Sequence, residues 1–221
     1  MAGIASHQED YLEAVYEMAE EGIPTLQARI AEWLGVSPAS VSEAVKRLLQ
    51  RDLVAVGDDR QLGFTDAGRV EAERLVRRHR LAERFLVEVV GLPWYLAHEE
   101  ATVWGRAISD AVEERFIEVL NDPPTCVHGN PIPGSSNAVD QSGLRSLDTF
   151  GAGERGRLER LTEDLELELD VMRYLEESGL MPGAEVSVVG IAPDGTLTLE
   201  VAGEKVALGP DIADNLWVRG I

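Results

Sequence analysis

Residues 25–64 read TLQARIAEWLGVSPASVSEAVKRLLQRDLVAVGDDRQLGF, and the punctuation of this stretch decides the fold. Leu26, Ile30, Trp33 and Leu34 recur at helical spacing over 25–34. Gly35 stands just past that helix, where a left-handed residue is commonly needed. Ser37-Pro38 then opens a second helix, serine as N-cap and proline at the first helical position. Its inward face runs through Val41, Val45, Leu48 and Leu49. Two short β-like runs, 53–56 and 61–64, flank the polar turn 57–60. A helix, a glycine turn, a second helix and a hairpin make a winged helix-turn-helix.

Working outward, residues 6–21 read as a preceding helix, with Tyr11, Leu12, Val15, Tyr16 and Ala19 at helical spacing. Downstream, Thr65 or Asp66 caps a long helix ending near Gly91, and another covers 94–120. The stretch 121–137 is rich in Pro, Gly, Ser and Asn and reads as a linker. Beyond it the texture changes to β-like runs at 156–161, 184–190, 195–201, 204–208 and 215–219, with one helix at 163–178. The expected fold is mainly α with α+β parts. It comprises a winged-helix domain (1–65), a helical domain (66–120), a linker (121–147) and a small β-barrel domain (148–221).

The 221 residues suffice for two domains at roughly 100–200 residues each. No apolar run approaches the roughly 20 residues of a membrane span, and the first residues lack the basic start and apolar stretch of a signal peptide. Cys126 is the one cysteine, so no internal disulfide forms, and a cytoplasmic location is expected. The net charge of −20 opposes DNA binding, whose affinity comes from neutralising phosphates. A globally acidic chain binds DNA only by gathering its positive residues on one face.

In a helix-turn-helix the second helix presents its N-terminal side chains to base edges in the major groove. Here those are Ser37, Pro38, Ala39, Ser40, Ser42 and Glu43. The hydroxyls suit bases or phosphates, Glu43 suits a cytosine amine, and Pro38 or Ala39 a thymine methyl. Arg29, Lys46, Arg47 and Arg60 are the candidate phosphate contacts.

Several segments together resemble the family of the diphtheria toxin repressor and the manganese transport regulator. They are ARIAE (28–32), SPASVS (37–42), HRLAER (79–84), HEEA (98–101) and GNPIPG (129–134), in the family's order. The tail, through MRY (172–174) and LMPG (180–183), resembles the SH3-like, FeoA-type domain of many members. The resemblance implies a homodimer, formed by the helices after the wing. It would bind a palindromic operator when Mn(II) or Fe(II) is plentiful and repress metal-homeostasis genes.

His79 and Glu83, four residues apart, share one helix face. With His98 they form a nitrogen and oxygen donor set suited to Fe(II), Mn(II), Co(II) or Zn(II). The resemblance makes this an ancillary metal site completed by Glu168. The alternative is two surface histidines, with Glu83 paired to Arg80 or Arg84. Asp10 and Glu13 match the start of the family's primary site. Its remaining donors fall at Thr102, Gly105 and Arg106, none of which is the expected ligand. Either Arg106 pairs with Asp10 or Glu13 and stands in for the metal, or control passes through His79, Glu83 and His98. Gly105 is costly inside a helix, by about 1 kcal/mol against alanine. Cys126 and His128 read as two donors on a flexible loop, a poor site. No nucleophile triad or phosphate loop supports an enzyme. A relic that keeps the fold but not DNA binding is the remaining alternative.

Overall fold

A computed structural model describes residues 7–221, and these divide into two compact units. The first comprises the chain up to His79 together with Gly105–Ile108; the second comprises Arg80–Trp104 and Ser109–Ile221.

In the first unit α1 (Gln8–Glu20), α2 (Gln27–Trp33) and α3 (Pro38–Gln50) precede the wing strands β1 (Val54–Val56) and β2 (Leu62–Phe64). The start of α4 (Asp66–Phe85) follows. The core takes Leu12, Val15 and Tyr16 from α1, Ile30 from α2, and Val41, Val45 and Leu48 from α3. Leu53, Val54 and Leu62 join them from the wing, and Leu75 and Val76 from α4. Leu49, expected inward, is exposed, because it lies one residue past Leu48 on the solvent side of the helix; Ala19 of α1 is exposed as well. β1 and β2 pair antiparallel, Val54 opposite Phe64. Thr25 ties the wing back: its hydroxyl donates to the Leu62 carbonyl at 2.7 Å, and its carbonyl accepts from the Leu62 amide at 3.1 Å.

The helix expected over 94–120 is broken. A 3₁₀ turn at Trp94–Leu96 leads into α5 (Ala97–Trp104), and a second turn at Gly105–Ala107 precedes α6 (Asp110–Val119). The break is local chemistry. Gly105 is a poor helix former, and Ser109 adopts the extended N-cap conformation of a new helix. It also gives Gly105–Ile108 to the first unit.

The C-terminal part of the second unit is one antiparallel sheet built on β3 (Arg145–Ser146), β4 (Arg155–Leu161), β5 (Glu185–Ile191), β6 (Leu197–Val201), β7 (Glu204–Leu208) and β8 (Leu216–Gly220). Their order is β3-β8-β4-β5-β6-β7, with irregular register in β4 and β5, where bulges bend strands. This is the expected SH3-like domain. The helix expected over 163–178 is two, α7 (Glu163–Glu166) and α8 (Leu169–Glu177), and a short α9 (Pro210–Ala213) precedes β8. The core gathers Leu158 and Leu161 of β4, Met172 and Leu175 of α8, Leu199 of β6 and Val218 of β8, with Trp94.

The segment expected as a linker is packed rather than loose. The Leu161 amide of β4 donates to the His128 carbonyl at 2.9 Å, and the Trp94 indole donates to the Val127 carbonyl at 2.9 Å. Gly129 is obligatory there: its φ is +92°, and a Cβ would lie 2.0 Å from the Glu159 carbonyl oxygen. Pro- and Gly-rich composition marked irregular backbone correctly, but irregular backbone is not the same as a free tether.

Candidate functional site

The face offered by α3 is built by its own periodicity. Val41, Ala44, Val45 and Leu48 are buried, which turns Ser37, Pro38, Ala39, Ser40, Ser42, Glu43, Lys46 and Arg47 to solvent. Ser37 caps the helix, its hydroxyl accepting from the Ser40 amide at 3.1 Å. Glu43 and Arg47 lie one turn apart, 3.8 Å between charged atoms. Arg29 of α2 and Arg60 in the wing turn are exposed as well. Asp59 beside Arg60 is drawn into the turn, accepting from the Gln61 amide and its side-chain nitrogen. The first unit carries ten basic and fourteen acidic side chains, the second ten and twenty-six. The acidity that argued against DNA thus belongs mainly to the unit without the reading helix.

Asp10 of α1 is buried, and Arg106 in the Gly105–Ala107 turn meets it. Both Nε and Nη2 of the guanidinium donate to Asp10 Oδ1, at 3.0 and 2.6 Å. Asp10 Oδ2 accepts from the His7 amide at 3.1 Å, closing the N-terminus of α1. Burial raises the Asp10 carboxyl above its ordinary range, against the lowering effects of the His7 amide and Arg106. One turn on, Glu13 Oε1 lies 3.2 Å from His79 Nδ1. Gly105 packs beside α4: a Cβ there would lie 3.4 Å from the His79 Cα, an ordinary contact distance. Thr102 spends its hydroxyl within α5, donating to the His98 carbonyl at 2.9 Å.

In the second unit a buried group of donors converges from four places in the chain. Glu83 comes from α4, His98 from α5, Cys126 and His128 from the packed segment, and Glu163 and Glu166 from α7. His98 Nδ1 is 3.3 Å from Glu83 Oε1, 3.1 Å from Glu166 Oε2 and 3.8 Å from Glu163 Oε2. His128 Nδ1 is 3.6 Å from Glu83 Oε2 and 2.7 Å from Glu166 Oε2. The ligating atoms of Glu83, Cys126 and His128 lie within 4.8 Å of one another, as do those of His98, Glu163 and Glu166. Outer contacts fix the carboxylates. Arg80 donates to Glu163 Oε1 at 2.7 Å, and the Asn130 amide donates to Glu166 Oε1 at 2.6 Å.

Burial disfavours the His128 imidazolium, but the Glu166 and Glu83 carboxylates outweigh it and hold its pKa well above the ordinary value. Glu166 is correspondingly lowered, the nearby His128 prevailing over burial. Glu163 is raised by burial first and Glu166 second. Burial, and then Glu83, push the Cys126 thiol far up.

A cation fits this group. Imidazole, carboxylate and thiol are all transition-metal donors. His128 Nδ1 and Glu166 Oε2 are fully buried and form an ion pair at 2.7 Å, so a cation bound there would take the place of the proton between them.

Two expectations need correction. Glu168 is not a donor here: it is the exposed residue that caps α8. Glu163 and Glu166 reach His98 instead, because the acidic run breaks at residue 167 and α7 turns both inward. Their three-residue spacing, which puts both on one face, was the available signal. Cys126 and His128 are not on a flexible loop: both are buried, held by the contacts of the packed segment. The ligating atoms of the spacing-derived set, His79, Glu83 and His98, also lie within 4.8 Å of one another, and His79 Nδ1 is 3.2 Å from Glu13 Oε1. Trp94 is a core residue.

Three family models match in sequence: the iron-dependent repressor N-terminal DNA-binding domain over residues 4–62, the iron-dependent repressor metal-binding and dimerisation domain over 65–134, and the FeoA domain over 145–220. The chain is 39% identical to the iron-dependent repressor IdeR of Mycobacterium tuberculosis, covering 96% of each. It is 36% identical to the diphtheria toxin repressor of Corynebacterium diphtheriae, covering 99% of each. Among solved structures, a manganese-dependent transcriptional repressor in complex with manganese superposes with a TM-score of 0.85 at 30% identity, covering 97% of this chain and 100% of that one. The IdeR of T. acidophilum superposes with a TM-score of 0.77 at 26% identity, covering 98% and 99%. With all three domain models in order and more than a third of its residues shared with full-length relatives, the chain belongs to the iron-dependent repressor family.

Proposed function

We propose that this protein is a metal-responsive transcriptional repressor whose sensing centre lies in the second unit. The observation that carries the reading is the buried convergence of Glu83, His98, Cys126, His128 and Glu166, with Glu163 held beside them by Arg80. Carboxylate and imidazole suit Mn(II) and Fe(II) alike, and the thiolate of Cys126 would tilt the set toward Fe(II). α3 reads DNA through Ser37, Pro38, Ala39, Ser40, Ser42 and Glu43. Arg29, Lys46, Arg47 and Arg60 take phosphates. A homodimer presents two such helices about 34 Å apart, one turn of DNA, so the operator is a palindrome. The site of action is the cytoplasm.

The family consists of repressors, which favours this reading over an enzyme. The test is selection from random duplexes at low salt, using metal-stripped protein with and without Mn(II) or Fe(II). Recovery of a palindrome that depends on added metal is expected. The reading fails if no sequence is enriched in either state, or if enrichment is the same without metal.

A further inference from the structure

We infer that Arg106 is a built-in cation that positions the DNA-reading unit, so that the placement of α1 does not depend on metal. The inference rests on the repressor reading for its consequence, but its geometry lies wholly within the first unit.

α1 presents two carboxylates one turn apart, Asp10 and Glu13, and each has its own cationic or donor partner. Arg106 converges two nitrogens on Asp10 Oδ1, and His79 faces Glu13. Asp10 Oδ2 is occupied too, by the His7 amide. Every oxygen of Asp10 is therefore engaged by the protein itself. The partners come from elements distant in sequence, Arg106 lying 96 residues from Asp10. A charge-assisted contact of this kind fixes geometry as well as attraction, because the planar guanidinium offers its donors in a rigid fork.

The backbone is arranged for the contact. The helix that would otherwise run on through 94–120 is interrupted at Gly105–Ala107, and this interruption joins the first unit. Gly105 lies at van der Waals distance from the His79 backbone, so the turn carrying Arg106 rests on α4. α1 in turn supplies Leu12, Val15 and Tyr16 to the core that also holds Val41, Val45 and Leu48 of α3. Holding α1 therefore holds the back of the reading helix. Arg106 acts as a positioning residue, through α1 and that core, without itself touching DNA.

The experiment compares amide hydrogen exchange in α1 of the full chain, saturated with Mn(II) or treated with chelator, in the unaltered protein and in Arg106→Gln. The unaltered protein should give the same α1 rates in both conditions. Arg106→Gln should speed α1 exchange by roughly tenfold or more in both, since a buried carboxylate is left without its partner. Amides of β4–β8 and the metal content should stay unchanged. Arg106→Lys, which keeps the charge and loses the fork, should fall between. Asp10→Asn combined with Arg106→Gln removes both charges and should recover part of the loss; if the single effects simply add, the pairing is not what holds α1. A slowing of α1 exchange on adding Mn(II) to the unaltered protein overturns the inference, as does unchanged exchange in Arg106→Gln. None of these readouts involves DNA, so failure of operator binding would remove the repressor reading and leave this one intact.

Discussion

The two units solve one electrostatic problem in opposite ways. Each buries carboxylates, and a buried carboxylate needs a positive partner or a proton. The first unit supplies Asp10 with a permanent partner, the Arg106 guanidinium, while His79 faces Glu13. The second gathers Glu83, Glu163 and Glu166, with Arg80 on Glu163, and places His98 and His128 among them. There the balance is variable, met by protons on the histidines or by a divalent cation. A fixed charge makes a clasp; an exchangeable one makes a sensor.

The sharpest way to break this comparison is to damage the sensor and watch the clasp. Exchanging His128 for Ala should weaken metal binding by more than the ~10–100-fold typical of losing an outer-shell partner. Operator affinity should then cease to respond to metal. A titration of metal against the variant, followed by operator binding, reads both. Undiminished metal affinity would show that His128 is a core histidine and nothing more.

A smaller effect separates the units by pH. The folded pKa of His128 is raised, so in metal-free protein its charged contact contributes fully below about pH 6.5 and is lost as pH rises through the raised value. Metal must displace that proton, so apparent metal affinity should move the other way, rising by up to roughly tenfold per pH unit while His128 remains protonated. Metal titrations between pH 6 and 8, in buffers of different ionisation enthalpy, measure the proton release directly. Affinity that stays level across that range would mean His128 is already neutral.

The smallest effect lies on the reading helix. Ser37→Ala removes the α3 cap and should cost about 1 kcal/mol of stability. Thermal unfolding checks the number, and metal content should not change. A larger loss, shared with the metal centre, would mean that the two units do not behave independently.

Much of this was legible in the sequence because it is local. The N-cap serine with Pro38, the glycine after α2, the wing turn and the period-3.6 faces of α1 and α3 depend on neighbours within a few residues. So does the exposure of the candidate DNA contacts, which is the complement of the buried face. The charge pairing of Arg106 with Asp10 could be anticipated only as one of two partners, since a family comparison aligned them but no spacing linked them.

What spacing misjudged were the long-range parts. Composition alone gives no reason to bury Glu163 and Glu166 within the acidic stretch 163–170. His98 and His128 supply that reason, and they arrive from other segments. Glu168 is expected from the resemblance alone, but the helix ends at Glu166 and Glu168 caps the next one. The same holds for Cys126 and His128, whose burial depends on β4 and Trp94 accepting the segment as packing.

The sequence by itself determined the winged-helix unit, the strand-rich tail and the absence of ordinary donors at Thr102, Gly105 and Arg106. These follow from periodicity, turn chemistry and residue identity. Only the tertiary structure decided which carboxylates share a cation and which share a space, because distance between residues remote in sequence is set by packing and not by order along the chain.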